Sequence, residues 1–237
     1  MSILWFLPRP LRELTRFEVL GFIGRTFGGP IEVNAGETNY LNLGSGPVCF
    51  DDYINVDFFV PPGGAKPHRS FYGADLRYPL RMPSGLIDGI FSEHAFEHLT
   101  YSEAARLFAE AFRVLKPGGR ARIVVPDLEL FVRAYCAPGR DWFEEWERLY
   151  FTESEDAERR ARRLTTPMEA ISFVTQEYGH LSAWDFETLS AAMTRAGFAE
   201  IEKCSYREGR DERLLRDMDA ADRRHVSLYV EALKPSP

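Results

Sequence analysis

Apolar positions along this chain follow two alternating rhythms. Short runs rich in aromatic and β-branched residues occur at Tyr40–Leu43, Tyr53–Val56, Phe71–Ala74, Leu86–Ser92, Ala121–Pro126, Phe198–Tyr206 and Val226–Leu233. Glycine, proline and aspartate border them, so they predict strands. Between some of them the spacing becomes helical. Leu107, Phe108, Ala111, Phe112 and Leu115 share one helix face behind the capping box Thr100-Tyr101-Ser102-Glu103. Leu189, Ala192 and Met193 do the same between an N-cap at Asp185 and a glycine stop at Gly197. Leu11, Leu14, Phe17, Leu20 and Ile23 predict a further helix within residues 1–38. The series strand, helix, Lys116-Pro117-Gly118-Gly119, strand is a βαβ unit and implies parallel strands. No clear crossover helix separates the last two runs, which predicts an antiparallel pair. The pattern is that of an α/β domain.

Composition narrows the function. The 237 residues are enough for one well-buried domain, and 45% hydrophobic with 27% charged residues is ordinary for a soluble protein. A net charge of −7 argues against a general nucleic-acid binder. Cys49, Cys136 and Cys204 are far apart and form no CxxC pair, which suits a reducing cytoplasm and offers no metal cluster, so no metal is expected. No apolar run reaches the ~18 residues of a membrane-spanning helix. Pro8, Arg9, Pro10 and Arg12 interrupt the one apolar N-terminal run, so no signal peptide is expected. The N-terminal helix is read as packing on the domain or over its cleft; its arginines and Trp5 also suit weak contact with a membrane surface.

The candidate chemistry begins where the first strand ends. Gly44-Ser45-Gly46 turns the backbone sharply, and Asp57 closes the next strand. Glycine turn followed by an acidic residue is how an adenosine-type ligand is held, the carboxylate accepting from the ribose hydroxyls. A dinucleotide site would want a third glycine or alanine where Cys49 stands, and Pro47 removes an N–H from the loop. Only Pro47 to Asp52 separates the strands, too little for a crossover helix whose dipole could hold a pyrophosphate. A nucleoside without phosphate, not NAD, is expected.

These features, with Arg113-Val114-Leu115-Lys116-Pro117-Gly118-Gly119, resemble the class I S-adenosylmethionine-dependent methyltransferases, in particular the small bacterial methyltransferase-11-like group. The resemblance implies a Rossmann-like, mostly parallel seven-stranded sheet with an antiparallel final strand and helices on both faces. It implies one methyltransferase domain over 1–237, with residues 1–38 as a helical extension and 127–180 as a helical insertion covering the substrate. It places S-adenosylmethionine against Asn42, Gly44, Ser45, Gly46, Asp57, Asp75, Leu76, Ser92 and Glu93, with Asp75 toward the adenine amino group. Asn42 departs from the acidic residue many relatives carry, and would meet the methionine end as a neutral amide. The expected acceptor is a small molecule, through a hydroxyl of a sugar or natural product.

His180 and His94 are the candidate catalytic residues. His180 is expected as general base, an imidazole being largely neutral at pH 7, and His94 as part of the site floor. In the insertion, Arg159, Arg160, Arg162 and Arg163 suit either a phosphate or carboxylate clamp or a solvated helix face. Two other readings remain open. His94-Ala95-Phe96-Glu97-His98 matches the H-x-x-E-H pattern of a zinc metallopeptidase, which needs both histidines one helical turn apart. A non-catalytic nucleoside-binding domain is the other.

Overall fold

A computed structural model of the chain describes residues 18–19, 21–22, 25–26, 29–58, 70–152 and 164–237. Most of the expected N-terminal helix, His68 and the arginines from Arg159 to Arg163 lie outside the described residues. The described strands form one seven-stranded sheet: β1 (Tyr40–Leu43), β2 (Tyr53–Asp57), β3 (Phe71–Gly73), β4 (Ile87–Glu93), β5 (Leu115–Pro126), β6 (Ala199–Cys204) and β7 (Ser227–Leu233). Their order is β3-β2-β1-β4-β5-β7-β6. Pairs from β3 through β5 are parallel, whereas β7 runs antiparallel to both β5 and β6. The chain direction across the sheet reverses between β1 and β4, which opens a crevice beyond the C-terminal ends of those strands.

The helix α1 (Tyr101–Val114) begins at the expected capping box, with the Thr100 hydroxyl accepting from Glu103 N and the Glu103 carboxylate accepting from Thr100 N. Among the described residues of 127–180, the stretch expected as the insertion, helices α2 (Leu128–Cys136), α3 (Asp141–Glu147) and α4 (Pro167–Gln176) gather around Phe131, Trp146 and Phe173. Helix α5 (Phe186–Ala196) starts at Asp185 and stops at Gly197, whose φ of 104° only glycine adopts easily. Helix α6 (Ala221–Val226) leads into β7.

Strand alternation divides the sheet into two unlike faces. Leu41, Leu43, Val56, Ile90, Ile123 and Val230 point one way and pack with Leu107, Phe108, Leu189 and Met193 of α1 and α5. Tyr40, Tyr53, Phe91, Val124 and Tyr229 point the other way. A helical layer was expected there too. Among the described residues, this second face is covered by the chain from 205 to 220, whose 3-10 turn Glu212–Leu214 lays Leu214 onto those aromatic rings. Several polar groups of the segment are paired with the sheet. Tyr40 donates to Asp211 at 2.7 Å, the Tyr53 hydroxyl donates to the Arg213 carbonyl, and Arg216 lies over Phe50 and Tyr53 while pairing with Asp52. Beneath it, fully buried Arg122 pairs with Asp217 at 2.5 Å and Glu231 at 3.1 Å and also donates to the Ser205 and Glu208 carbonyls.

Candidate active site

The turn after β1 is shaped by close approach. At Gly44 (φ 71°) a Cβ would sit 2.3 Å from that of Ala95, so no other residue lets the exit of β4 pass over the turn. Gly46 also has positive φ, but a Cβ there would meet nothing within 4 Å, and its N–H donates to Asp57 at 2.8 Å. Glycine turn and Asp57 are therefore adjacent at the ends of β1 and β2, with open space on the turn's outer side. That arrangement fits an adenosine-type ligand. As expected from the short spacing, no helix links these two parallel strands. In its place Asn42 donates to the Val48 carbonyl and to Asn55, while Asn55 accepts from Phe50 N and donates to its carbonyl. Amide side chains thus do the work of a crossover helix.

Other expected contacts are placed differently. Asn42 is buried with both amide hydrogens given to this loop, so it holds the turn rather than facing a methionine end. Asp75 is taken up by Arg25 and Arg77, at 2.5 and 2.9 Å, and its side chain is 2% exposed, which withdraws it from an adenine ring. Ser92 donates to the Leu43 carbonyl and ties β4 to β1. Glu93 lies on the strapped face, accepting from Met218 N, and burial pushes its carboxyl up. Ser45 is buried in the turn, and Leu76 packs against the main core near Gly44.

A second group of residues meets beyond β4 and β5, around a cavity of about 270 Å³. The core contributes His94, Glu97 and His98; the insertion contributes Trp146, Tyr150, Phe173, Tyr178 and His180. Backbone bonds explain the meeting: the Glu97 carbonyl accepts from both Leu181 N and Ser182 N, at 2.7 and 3.2 Å, where the insertion rejoins the core. Left-handed Tyr178 and Gly179 make the turn that delivers His180. The His180 ring approaches the Val174 carbonyl through Nδ1 at 2.6 Å. A carbonyl only accepts, so Nδ1 carries a hydrogen, and in the neutral ring the lone pair is then on Nε2.

His94 leaves β4 with φ 50° and is bridged on both sides, Nδ1 lying 3.1 Å from Glu97 Oε1 and Nε2 lying 2.9 Å from the Ser227 hydroxyl. Burial lowers its pKa, against the pull of Glu97. Burial would raise the Glu97 carboxyl, but the His94 ring outweighs it and holds Glu97 below the ordinary carboxylate range. The peptidase pattern does not survive this geometry. Phe96–His98 is a single 3-10 turn at a strand exit, not an α-helix, and His94 turns to Ser227 instead of joining His98. Sequence reasoning missed the role of Glu97 as an acid sealed from water, and it missed Asp222 and Arg223, which also line the cavity. No spacing signal marks the latter pair, because α6 is brought there by the strap.

Strand order and a glycine turn facing a β2 carboxylate define the class: a Rossmann-like sheet of the class I methyltransferase type. A family model, "Methyltransferase domain", matches residues 64–123, from before β3 into β5. Over that stretch the chain is similar to methyltransferase domains. No curated protein sequence matches it. Among solved structures it is similar to a methyltransferase of Haloferax volcanii in complex with the activator Trm112, at 15% identity over 96% of this chain and 94% of that one, TM-score 0.46. It is also similar to an S-adenosylmethionine-dependent methyltransferase of Archaeoglobus fulgidus, at 15% identity, 95% and 98% coverage and TM-score 0.48. Phosphoethanolamine N-methyltransferase 2 of Haemonchus contortus, solved with S-adenosylmethionine, is 14% identical with TM-score 0.48; the match covers 94% of this chain and 53% of that one.

Proposed function

We propose that the chain methylates a hydroxyl of a small molecule, a sugar or a natural product, held in the 270 Å³ cavity, with His180 Nε2 accepting the proton. The observation that carries this reading is the orientation of His180. The Val174 carbonyl fixes the Nδ1–H tautomer, leaving an acceptor nitrogen in the cavity wall. Trp146, Tyr150, Phe173 and Tyr178 offer faces against which a sugar ring or a flat natural product can stack.

The residues that would hold the cofactor are the Gly44-Ser45-Gly46 turn and Asp57, with Leu76 as an apolar neighbour. When bound, the cofactor supplies an activated methyl group. Aligning the acceptor and excluding water fall to the insertion, and the acceptor's proton falls to His180. His94 holds Glu97 in place and forms part of the floor. No described helix is long and apolar enough to cross a membrane. A cytoplasmic enzyme acting on a small molecule, without nucleic acid, agrees with the acidic composition and three free cysteines.

The test is transfer of labelled methyl from S-adenosylmethionine to panels of hydroxylated sugars and phenolic natural products, with amine acceptors alongside. Transfer to hydroxyls with a pH profile set by one imidazole is the expected result. Exclusive transfer to amines would overturn the acceptor class and leave the enzyme class standing.

A further inference from the structure

Glu97, His98 and His180 come from two separate parts of the chain, and their ligating atoms all lie within 4.8 Å of one another. The Glu97 carboxylate is sealed from solvent, its side chain 2% exposed, and Oε2 has no hydrogen-bonding partner. A buried carboxylate oxygen without a partner is costly, and native structures rarely keep one unless a water or an ion completes it. The two imidazole rings stand 4.8 Å apart, edge to face.

Each ligand is also held from behind. Val174 O takes the His180 Nδ1 proton, the Gly179 backbone hydrogen-bonds His98, and His94 lies 3.1 Å from the other Glu97 oxygen. Partners that fix tautomer and orientation behind each ligand are the usual support of a metal centre. The donor set is two imidazoles and one carboxylate, which suits first-row divalent ions. His98 is exposed on the cavity side, leaving remaining positions open to a small molecule, as in catalytic rather than structural zinc sites.

We propose that Glu97, His98 and His180 form a binding site for a first-row divalent cation, zinc above all, at the wall of the acceptor cavity. Bonds of ~2.0–2.1 Å put tetrahedral zinc ligands about 3.3 Å apart, so the cluster closes by roughly 1.5 Å at its widest. The site shares His180 with the proposed methyl transfer. It constrains that chemistry: an Nε2 that holds a cation cannot accept a proton.

The experiment is metal titration of the full chain, purified without a metal-affinity tag and stripped with chelator, in the absence of S-adenosylmethionine. Zinc is followed by competition with a chromophoric chelator and cobalt(II) by its visible d–d bands. One equivalent is expected, with the band intensity of a low-coordinate nitrogen–oxygen site. His98→Ala and His180→Ala should each weaken zinc by more than the ~10–100-fold typical of losing an outer-shell partner. His94→Gln should fall within that range. His98 is exposed, so its variant should fold, and S-adenosylmethionine binding by calorimetry verifies this without any turnover. A wild-type chain that takes up neither ion would overturn the site, as would His98→Ala and His180→Ala chains that bind zinc as tightly as wild type.

Discussion

Arg122 and Glu97 are both ionic groups sealed inside the protein, and their surroundings differ in every respect. Arg122 has two carboxylates and two backbone carbonyls around it, so its guanidinium donates in all directions. Glu97 has one histidine edge at 3.1 Å, an unpartnered oxygen and a cavity beside it. The first is a finished cluster whose work is to pin the 205–220 segment over the sheet. The second is incomplete, and incompleteness at the C-terminal end of a parallel sheet is what a ligand can exploit. Saturation of hydrogen bonds thus separates structural charge from functional charge here better than burial does.

The largest effect should come from the finished cluster. Arg122→Met leaves Asp217 and Glu231 buried without a cation, which should cost about 3–5 kcal/mol of stability, measured by urea denaturation. Glu97→Gln gives up only the contact of its charge with the His94 ring, and should stay within about 1 kcal/mol of wild type. Equal losses in the two variants would erase the contrast.

Next in size is His180→Ala. Assayed with chelator present, so that metal plays no part, it should lose ~10²–10⁴-fold in turnover while keeping cofactor affinity. Unchanged turnover would return His180 to a purely positional role.

The mostly parallel sheet and the antiparallel last strand were legible because hydrophobic runs and glycine stops carry that information locally. The Thr100 box, the Asp185 cap and the Gly197 stop stand where local chemistry puts them. What could not be read depends on pairings across long separations. Asp75 reads as a site acid until Arg25 meets it from fifty residues away. Asn42 reads as a ligand contact until Asn55 is seen opposite it in the β1–β2 register. Nothing in the spacing of the charges from Arg207 onward reveals that Arg122 lies beneath Asp217. The sequence marks His94, Glu97 and His98 as a metal pattern, whereas the atoms that converge belong to Glu97, His98 and His180.

A smaller effect is expected at the other end of the crevice. Asp57→Ala should weaken S-adenosylmethionine by about 1.5–3 kcal/mol, the range for hydrogen bonds to a charged group, as calorimetry would show. The Gly46 N–H loses its 2.8 Å acceptor in the same variant, so part of the loss would come from a looser turn. Asp75→Asn, by contrast, should hardly alter cofactor affinity, since that carboxylate already serves Arg25 and Arg77. A larger loss at Asp75 than at Asp57 would reverse the assignment.

The smallest effect separates the clusters by pH. Burial lowers the His94 pKa, so the unfolded chain takes up this proton near pH 6.5 and the folded chain only at lower pH. Between those values the unfolded state binds more protons, and stability falls as pH falls, by at most about 1.4 kcal/mol per pH unit for one proton. His98 and His225 are lowered by burial too and act with the same sign. Glu97 is held below 4.5, so its own contribution is lost only under that value, outside the window. Glu93 is raised and acts with the opposite sign above 4.5, which makes the difference between two variants a cleaner measure than one curve. From pH 7.5 down through 6.5, His94→Asn should show a shallower decline in denaturation free energy than wild type. Arg122→Met should lie lower across the whole window, because it strands two buried carboxylates. Parallel curves for wild type and His94→Asn would mean that His94 takes up its proton equally in both states, and that the contact with Glu97 offsets its burial.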